Sequence, residues 1–116
     1  MKRFPSIKNN KEFKRIYSEG KSCGNKALVM YVEKSGEAYN RIGISVSKKV
    51  GNSCTRHRLS RMLREIFRLN NDKIKSPYNI IVIARVGSSL LDYEKLNNAY
   101  LHLCKLHKLF KTSDLR

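Results

Sequence analysis

Eight cationic side chains and a single acid, Glu65, fall between Arg41 and Arg68. Most crowd one stretch: Lys48 and Lys49, then Arg56, Arg58, Arg61, Arg64 and Arg68, with His57 among them. Guanidinium groups at this density suit the holding of phosphate. The planar fork of arginine takes phosphate oxygens in pairs and stacks on bases. Catalytic chemistry is harder to build from this chain. It has no Gly-x-x-x-x-Gly-Lys loop, no His-Glu-x-x-His pair and no Gly-x-Ser-x-Gly elbow. Its nine acids are scattered and form no cluster that would hold two metal ions for phosphodiester cleavage. His57 could serve as a general base, but among arginines it reads as a hydrogen-bonding or stacking contact. His102, Cys104 and His107 are close in sequence, yet helical spacing spreads them round the axis and no fourth ligand stands nearby. They read as packing and surface residues.

The arginines need a helix to present them. Gly51-Asn52-Ser53 offers an N-cap, and Asn70-Asn71-Asp72 a stop after about Leu69. At roughly 100° per residue, Leu59, Met62, Leu63, Ile66 and Leu69 gather on one side. His57, Arg61, Arg64 and Arg68 gather opposite, with Arg56 and Arg58 toward the flanks. A solvated helix face usually interleaves acids with bases at four-residue spacing. This one is almost purely cationic, which favours contact with a polyanion over simple solvation.

The elements around this helix read as helix, three strands, helix, strand, helix. Asn9 or Asn10 caps a first helix, with Phe13, Ile16 and Tyr17 at apolar spacing and Gly20 as its stop. Lys21 to Asn25 is a short edge strand or a loop, and Ala27 to Val32 is a strand. Arg41 to Ser47 alternates: Ile42, Ile44 and Val46 face one way, Gly43, Ser45 and Ser47 the other. The face of small residues is expected to let a ligand backbone approach closely. Tyr78 to Arg85 has the continuous apolar centre of a buried strand. Asp92 caps the last helix, whose stripe is Leu96, Ala99, Tyr100, Leu103, Leu106 and Phe110, and the Lys-rich C-terminus is expected to fray. Phe13, Tyr17 and Tyr31 are either core residues or, if the first helix packs beside the open sheet face, the lining of a groove for single-stranded bases.

Composition narrows the partner. The chain has 116 residues, enough for one domain with a single core. Its 25 Lys and Arg against 9 Asp and Glu give a formal charge of +16. That self-repulsion is best relieved by a dense anion, and nucleic acid is the leading candidate over a membrane surface. No apolar run approaches the roughly 20 residues that span a bilayer, and the first residues lack the apolar centre of a signal peptide. Three widely spaced cysteines imply no disulfide framework. A cytoplasmic protein is expected.

The run Arg41-Ile-Gly-Ile-Ser-Val-Ser-Lys-Lys-Val-Gly-Asn52, followed by Thr55-Arg-His-Arg-Leu-Ser-Arg-Met-Leu-Arg-Glu-Ile-Phe-Arg68, strongly resembles the protein component of bacterial ribonuclease P. Lys11-Glu-Phe-Lys-Arg-Ile-Tyr17 and Tyr78-Asn-Ile-Ile-Val-Ile-Ala-Arg85 resemble that family's first helix and fourth strand, so the likeness spans nearly the whole chain. It implies an α+β fold: one RNA-binding domain over residues 1–116, an α/β sandwich of order αβββαβα. A left-handed βαβ crossover is implied too, against the general rule, and related domains occur in ribosomal proteins and translation factors. The implied role is that of a helper in a ribonucleoprotein endonuclease that removes the 5′ leader from precursor tRNA, with hydrolysis carried by Mg2+ bound mainly to the RNA subunit. By the same resemblance, Lys48, Lys49, Arg56, Arg58, Arg61, Arg64 and Arg68 bear on the catalytic RNA. A central cleft of Phe13, Tyr17, Val29, Tyr31, Ser45, Arg56 and His57 contacts the leader.

Two positions depart from the family pattern. His57 stands where an Asn is common, and its charge can change near neutral pH. Ser60 stands where a Lys is common, so one phosphate contact is expected to be absent. Two rival readings remain at this point. One is an RNA-binding module without an enzyme partner, such as a ribosome-associated protein or RNA chaperone. The other is a DNA-binding protein with the arginine helix in the major groove, which would call for base-reading Asn or Gln between Thr55 and Leu69, where there is none.

Overall fold

A computed structural model of the chain describes residues 5–111. The C-terminal residues from 112 on, where fraying is expected, lie outside that range. Helix α1 spans Asn10–Glu19, and the Asn9 side chain caps it by accepting from the Lys11 N–H at 2.8 Å. Strands β1 (Lys21–Gly24), β2 (Leu28–Lys34) and β3 (Arg41–Val46) follow. Helix α2 runs over Ser53–Asn70, β4 over Tyr78–Ala84 and α3 over Tyr93–Leu106. The order is the expected one, and Lys21 to Gly24 settles as an edge strand.

The four strands form one sheet in the order β1-β2-β4-β3. β4 is internal, antiparallel to β2 and parallel to β3, to which α2 connects it. A strand covered on both faces reads as an unbroken apolar run, and Ile80, Ile81 and Val82 are all buried. Even-numbered β4 residues join the larger core with Ile42, Leu28 and Met30, against α2 and α3. Ile81 faces the other way, into a small second core with Ile7 and Ile16 beneath α1. The N-terminal segment adds to the β3 edge: Ile7 N–H donates to the Ile42 carbonyl at 2.8 Å, and Ile42 N–H to that of Pro5 at 3.0 Å. Among the described residues no helix is long and apolar enough to cross a membrane.

Three local expectations are corrected. Leu69 is 52% exposed, while Phe67 is wholly buried. The helix end approaches α3 through Asn70, whose amide donates to the Ile66 carbonyl and to Asn97, so the core side rotates toward Phe67. In α3, Leu106 is exposed and Cys104 takes a core position. Phe110 lies past the helix end, where the chain folds back to bridge Ile74.

The third correction concerns Gly43. β3 alternates as expected, but the space over Gly43 belongs to the protein's own Phe13, not to a ligand. A Cβ added at Gly43 would stand 2.8 Å from Phe13 Cζ and 3.2 Å from an Ile81 carbon. Gly43→Ala is therefore expected to displace the Phe13 ring and cost about 1–3 kcal/mol. Thermal unfolding tests this, with a fall of at least ~4 °C expected. An unchanged midpoint would mean that the ring yields freely.

Candidate nucleic-acid interface

Asn52 caps α2 by accepting from the Thr55 N–H at 2.9 Å. With Leu59, Leu63, Ile66 and Phe67 buried, the helical period leaves His57, Arg61, Arg64 and Arg68 exposed. They are not equivalent. Arg68 is held by Glu65, with Nε to Oε2 at 3.1 Å, and that contact keeps the Glu65 carboxyl below its ordinary pKa. Arg58 is spent on the fold: it donates to the carbonyls of Ser89 at 2.8 Å and Leu91 at 3.3 Å, tying α2 to the turn before α3. Arg56 is half-buried, and its Nε is enclosed without a hydrogen-bond partner among the described residues. Arg61 and Arg64 enter none of the ion pairs among the described residues. Nor do Lys48 and Lys49, which are exposed on a 3-10 turn (Lys48–Val50) anchored by buried Val50.

Sequence reasoning missed some residues beside this helix. Ser6 and Lys8, brought in by pairing with the β3 edge, and Tyr93, from α3, share an open depression with His57, Arg61 and Arg64. Nothing in local spacing marks them, because each arrives from a distant segment.

The second set of expected residues meets on the sheet face under α1. Val29, Ile83 and Ser45 are cross-strand neighbours, as are Tyr31, Ile81 and Gly43. The Tyr17 ring packs edge-on to Tyr31 at 5.0 Å between centroids and lies 6.0 Å from Phe13. Tyr17 is 36% exposed at the edge of this cluster, while Phe13 packs over Gly43. Partial burial raises the Tyr17 pKa, and a hydrogen bond with Ser45 works against that rise. Arg56 and His57 sit apart on α2, beyond the Lys48–Val50 turn, and His57 lines the depression rather than the tyrosine cluster.

Several acids are engaged elsewhere. Glu12 pairs with Arg41, Glu19 and Glu33 with Arg15, and Asp92 caps α3 through the Lys95 N–H. Burial works to raise the Glu33 pKa, but Arg15, Asn79 and Arg41 outweigh it and hold the carboxyl below its ordinary value. No three His, Cys, Asp or Glu side chains among the described residues converge to hold a metal ion. Cys104 is enclosed in the core, its thiol pushed up to about 12 by burial. His102 contacts Asn25 at 3.2 Å, and His107 the Met30 carbonyl at 3.0 Å.

These features have counterparts among known proteins. The sequence model of the family described as Ribonuclease P matches residues 1–108. The ribonuclease P protein component of Lachnoclostridium phytofermentans is 50% identical over 109 residues, covering 94% of each chain. That of Clostridioides difficile is 43% identical over 104 residues, 89% of this chain and 91% of its own. The solved Staphylococcus aureus ribonuclease P protein superposes with a TM-score of 0.85 at 36% identity, over 91% of this chain and 97% of its own. The Thermotoga maritima protein gives 0.80 at 34%, over 87% and 96%. A four-stranded sheet with three helices in the order αβββαβα, a cationic α2 and these matches together establish that the chain belongs to the family of bacterial ribonuclease P protein components.

Proposed function

We propose that this chain grips the catalytic RNA of ribonuclease P through α2 and the 5′ leader of precursor tRNA in the groove beneath α1. The observation that carries the reading is the sorting of charge. Among the described residues, acids pair with Arg15, Arg41 and Arg68, whereas Lys48, Lys49, Arg61 and Arg64 have no carboxylate partner. Unpaired cations on one side of a helix are stabilised only when phosphate arrives. The Tyr17–Tyr31 pair beside Val29 and Ser45 supplies π-surface on which unpaired bases can stack without sequence preference. Arg56 and His57 belong in this reading to the cationic side, where His57 lines the depression with Arg61 and Arg64.

The chain's own contribution is binding and orientation. Mg2+ supplies the hydrolytic chemistry in this reading and is held mainly by the RNA, in keeping with the lack of a converging His, Cys, Asp or Glu donor set among the described residues. Reconstitution tests the whole. Added to a bacterial ribonuclease P RNA at low Mg2+, the protein is expected to stimulate leader removal from precursor tRNA. No stimulation with a cognate RNA would leave a free-standing RNA-binding module as the better reading.

Within the reconstituted enzyme, Tyr31→Ala is expected to weaken binding of leader-bearing substrate by about ten-fold, the scale of one lost stacking contact. Mature tRNA should bind nearly as before. Equal losses on both substrates would make Tyr31 merely structural.

A further inference from the structure

The groove face of the sheet ends in a row of polar residues. Glu33, Asn79 and Arg41 are direct cross-strand neighbours on β2, β4 and β3. Asn79 is 2% exposed and bonds both of its neighbours. Its Oδ1 accepts from Arg41 Nε at 3.0 Å, and its Nδ2 donates to Glu33 Oε2 at 2.9 Å. Each outer member then reaches up to α1. The Arg41 guanidinium pairs with Glu12, and Arg15 Nη1 donates to Glu33 Oε1 at 2.6 Å. The chain of contacts thus begins on α1, crosses three strands and returns to α1 three residues from its start.

The apolar footing of α1 is small. Among the described residues its buried apolar cluster is Ile7, Ile16 and Ile81, with Phe13, Tyr31 and Ile83 packed against them. This footing is much smaller than the core beneath α2 and α3. A solvated ion pair would add little, but a covered network with its members satisfied selects one arrangement. The network is covered where it crosses the sheet, with Asn79 buried and the Glu33 and Arg41 side chains 13% and 17% exposed, and opens toward solvent at its α1 ends, Glu12 and Arg15, at 32% and 44%. The residues it fixes flank those that face the groove: Phe13 follows Glu12, and Tyr17 lies two beyond Arg15.

We propose that Glu12, Arg41, Asn79, Glu33 and Arg15 form a positioning clamp that sets the spacing of Tyr17 from Tyr31 and thereby the grip on single-stranded RNA. The clamp also neutralises Glu33, whose bare charge would repel phosphate from the same sheet face. The proposal rests on the groove being the leader site.

The test is a double-mutant cycle on the reconstituted holoenzyme, read as the ratio of affinities for leader-bearing and mature tRNA. E12A and R41A are each expected to lower that ratio about five-fold, and the double variant no further, as for two halves of one contact. Simple electrostatics predicts otherwise for E12A, since removing an acid should tighten RNA binding. E12A leaving or raising the ratio, or losses that add, would overturn the clamp. E12Q, which keeps a hydrogen-bond acceptor, replaces E12A if the latter does not fold. A lowered ratio is again expected, and an unchanged one overturns the proposal. A wild-type holoenzyme with no preference for the leader would instead remove the groove reading itself.

Discussion

An R61A/R64A double variant is expected to bind ribonuclease P RNA about a hundred-fold more weakly than the wild type, with an unchanged unfolding temperature. Each of these arginines is exposed and outside every ion pair among the described residues, so its removal takes nothing from the fold. Surface substitutions of this kind usually shift stability by less than about 0.5 kcal/mol, and relief of like-charge repulsion offsets part of that. A charge-assisted contact to phosphate contributes roughly 1.5–3 kcal/mol, so two lost contacts amount to at least ~3 kcal/mol, or the hundred-fold stated. Salt dependence separates this loss from a general weakening. Each phosphate contact releases condensed counterions, and two fewer should flatten the log–log slope by roughly 1.5 units. Titrations across a salt series measure it. An unchanged slope would mean that these arginines face solvent in the complex. Arg68 and Arg58 are predicted to behave differently, because Glu65 and the Ser89 and Leu91 carbonyls already occupy them.

Phe67→Ala is the opposite case, a loss of fold with no cationic group removed. Phe67 is 0% exposed, and its ring meets Tyr100 of α3 edge-on at 6.5 Å between centroids. Deleting such a ring costs about 3–5 kcal/mol, the lost transfer energy plus the cavity left behind. Domains of this size are stable by only ~5–15 kcal/mol, so the variant should unfold at least ~12 °C lower. Urea or thermal denaturation checks it, with Leu69→Ala as the neighbouring control. Leu69 is 52% exposed, and its truncation should cost little. Equal effects at the two positions would contradict the packing described for the end of α2.

That pair also marks where sequence reading stops. A period of 3.6 residues separates the apolar side of α2 from the cationic side, and it correctly sets Leu59, Leu63 and Ile66 against His57, Arg61 and Arg64. Near the helix end the same period leaves Phe67 and Leu69 on opposite flanks of the apolar side. The choice between Phe67 and Leu69 follows from where α3 lies, through contacts such as that of Asn70 with Asn97. Gly43 teaches the same lesson. Its smallness was legible as a close approach, but the approaching group comes from a helix thirty positions upstream.

The order of the main elements, a cap ahead of each helix (Asn9 or Asn10, the Gly51-Asn52-Ser53 turn, and Asp92) and the net charge follow from the sequence alone. Each depends on residues a few positions apart or on a plain sum of charges, so no distant partner can alter it. The family is legible for a related reason: its motif is a continuous run from β3 into α2. Which cations are taken up by protein partners was decided only in three dimensions. Arg58, Arg61 and Arg64 look alike in the chain, yet one is tied to carbonyls thirty-odd residues away and two are not. The clamp on α1 likewise joins residues 18 to 46 positions apart. Hydrogen bonds and ion pairs act over a few ångströms of space, and chain folding alone determines which distant side chains come that close.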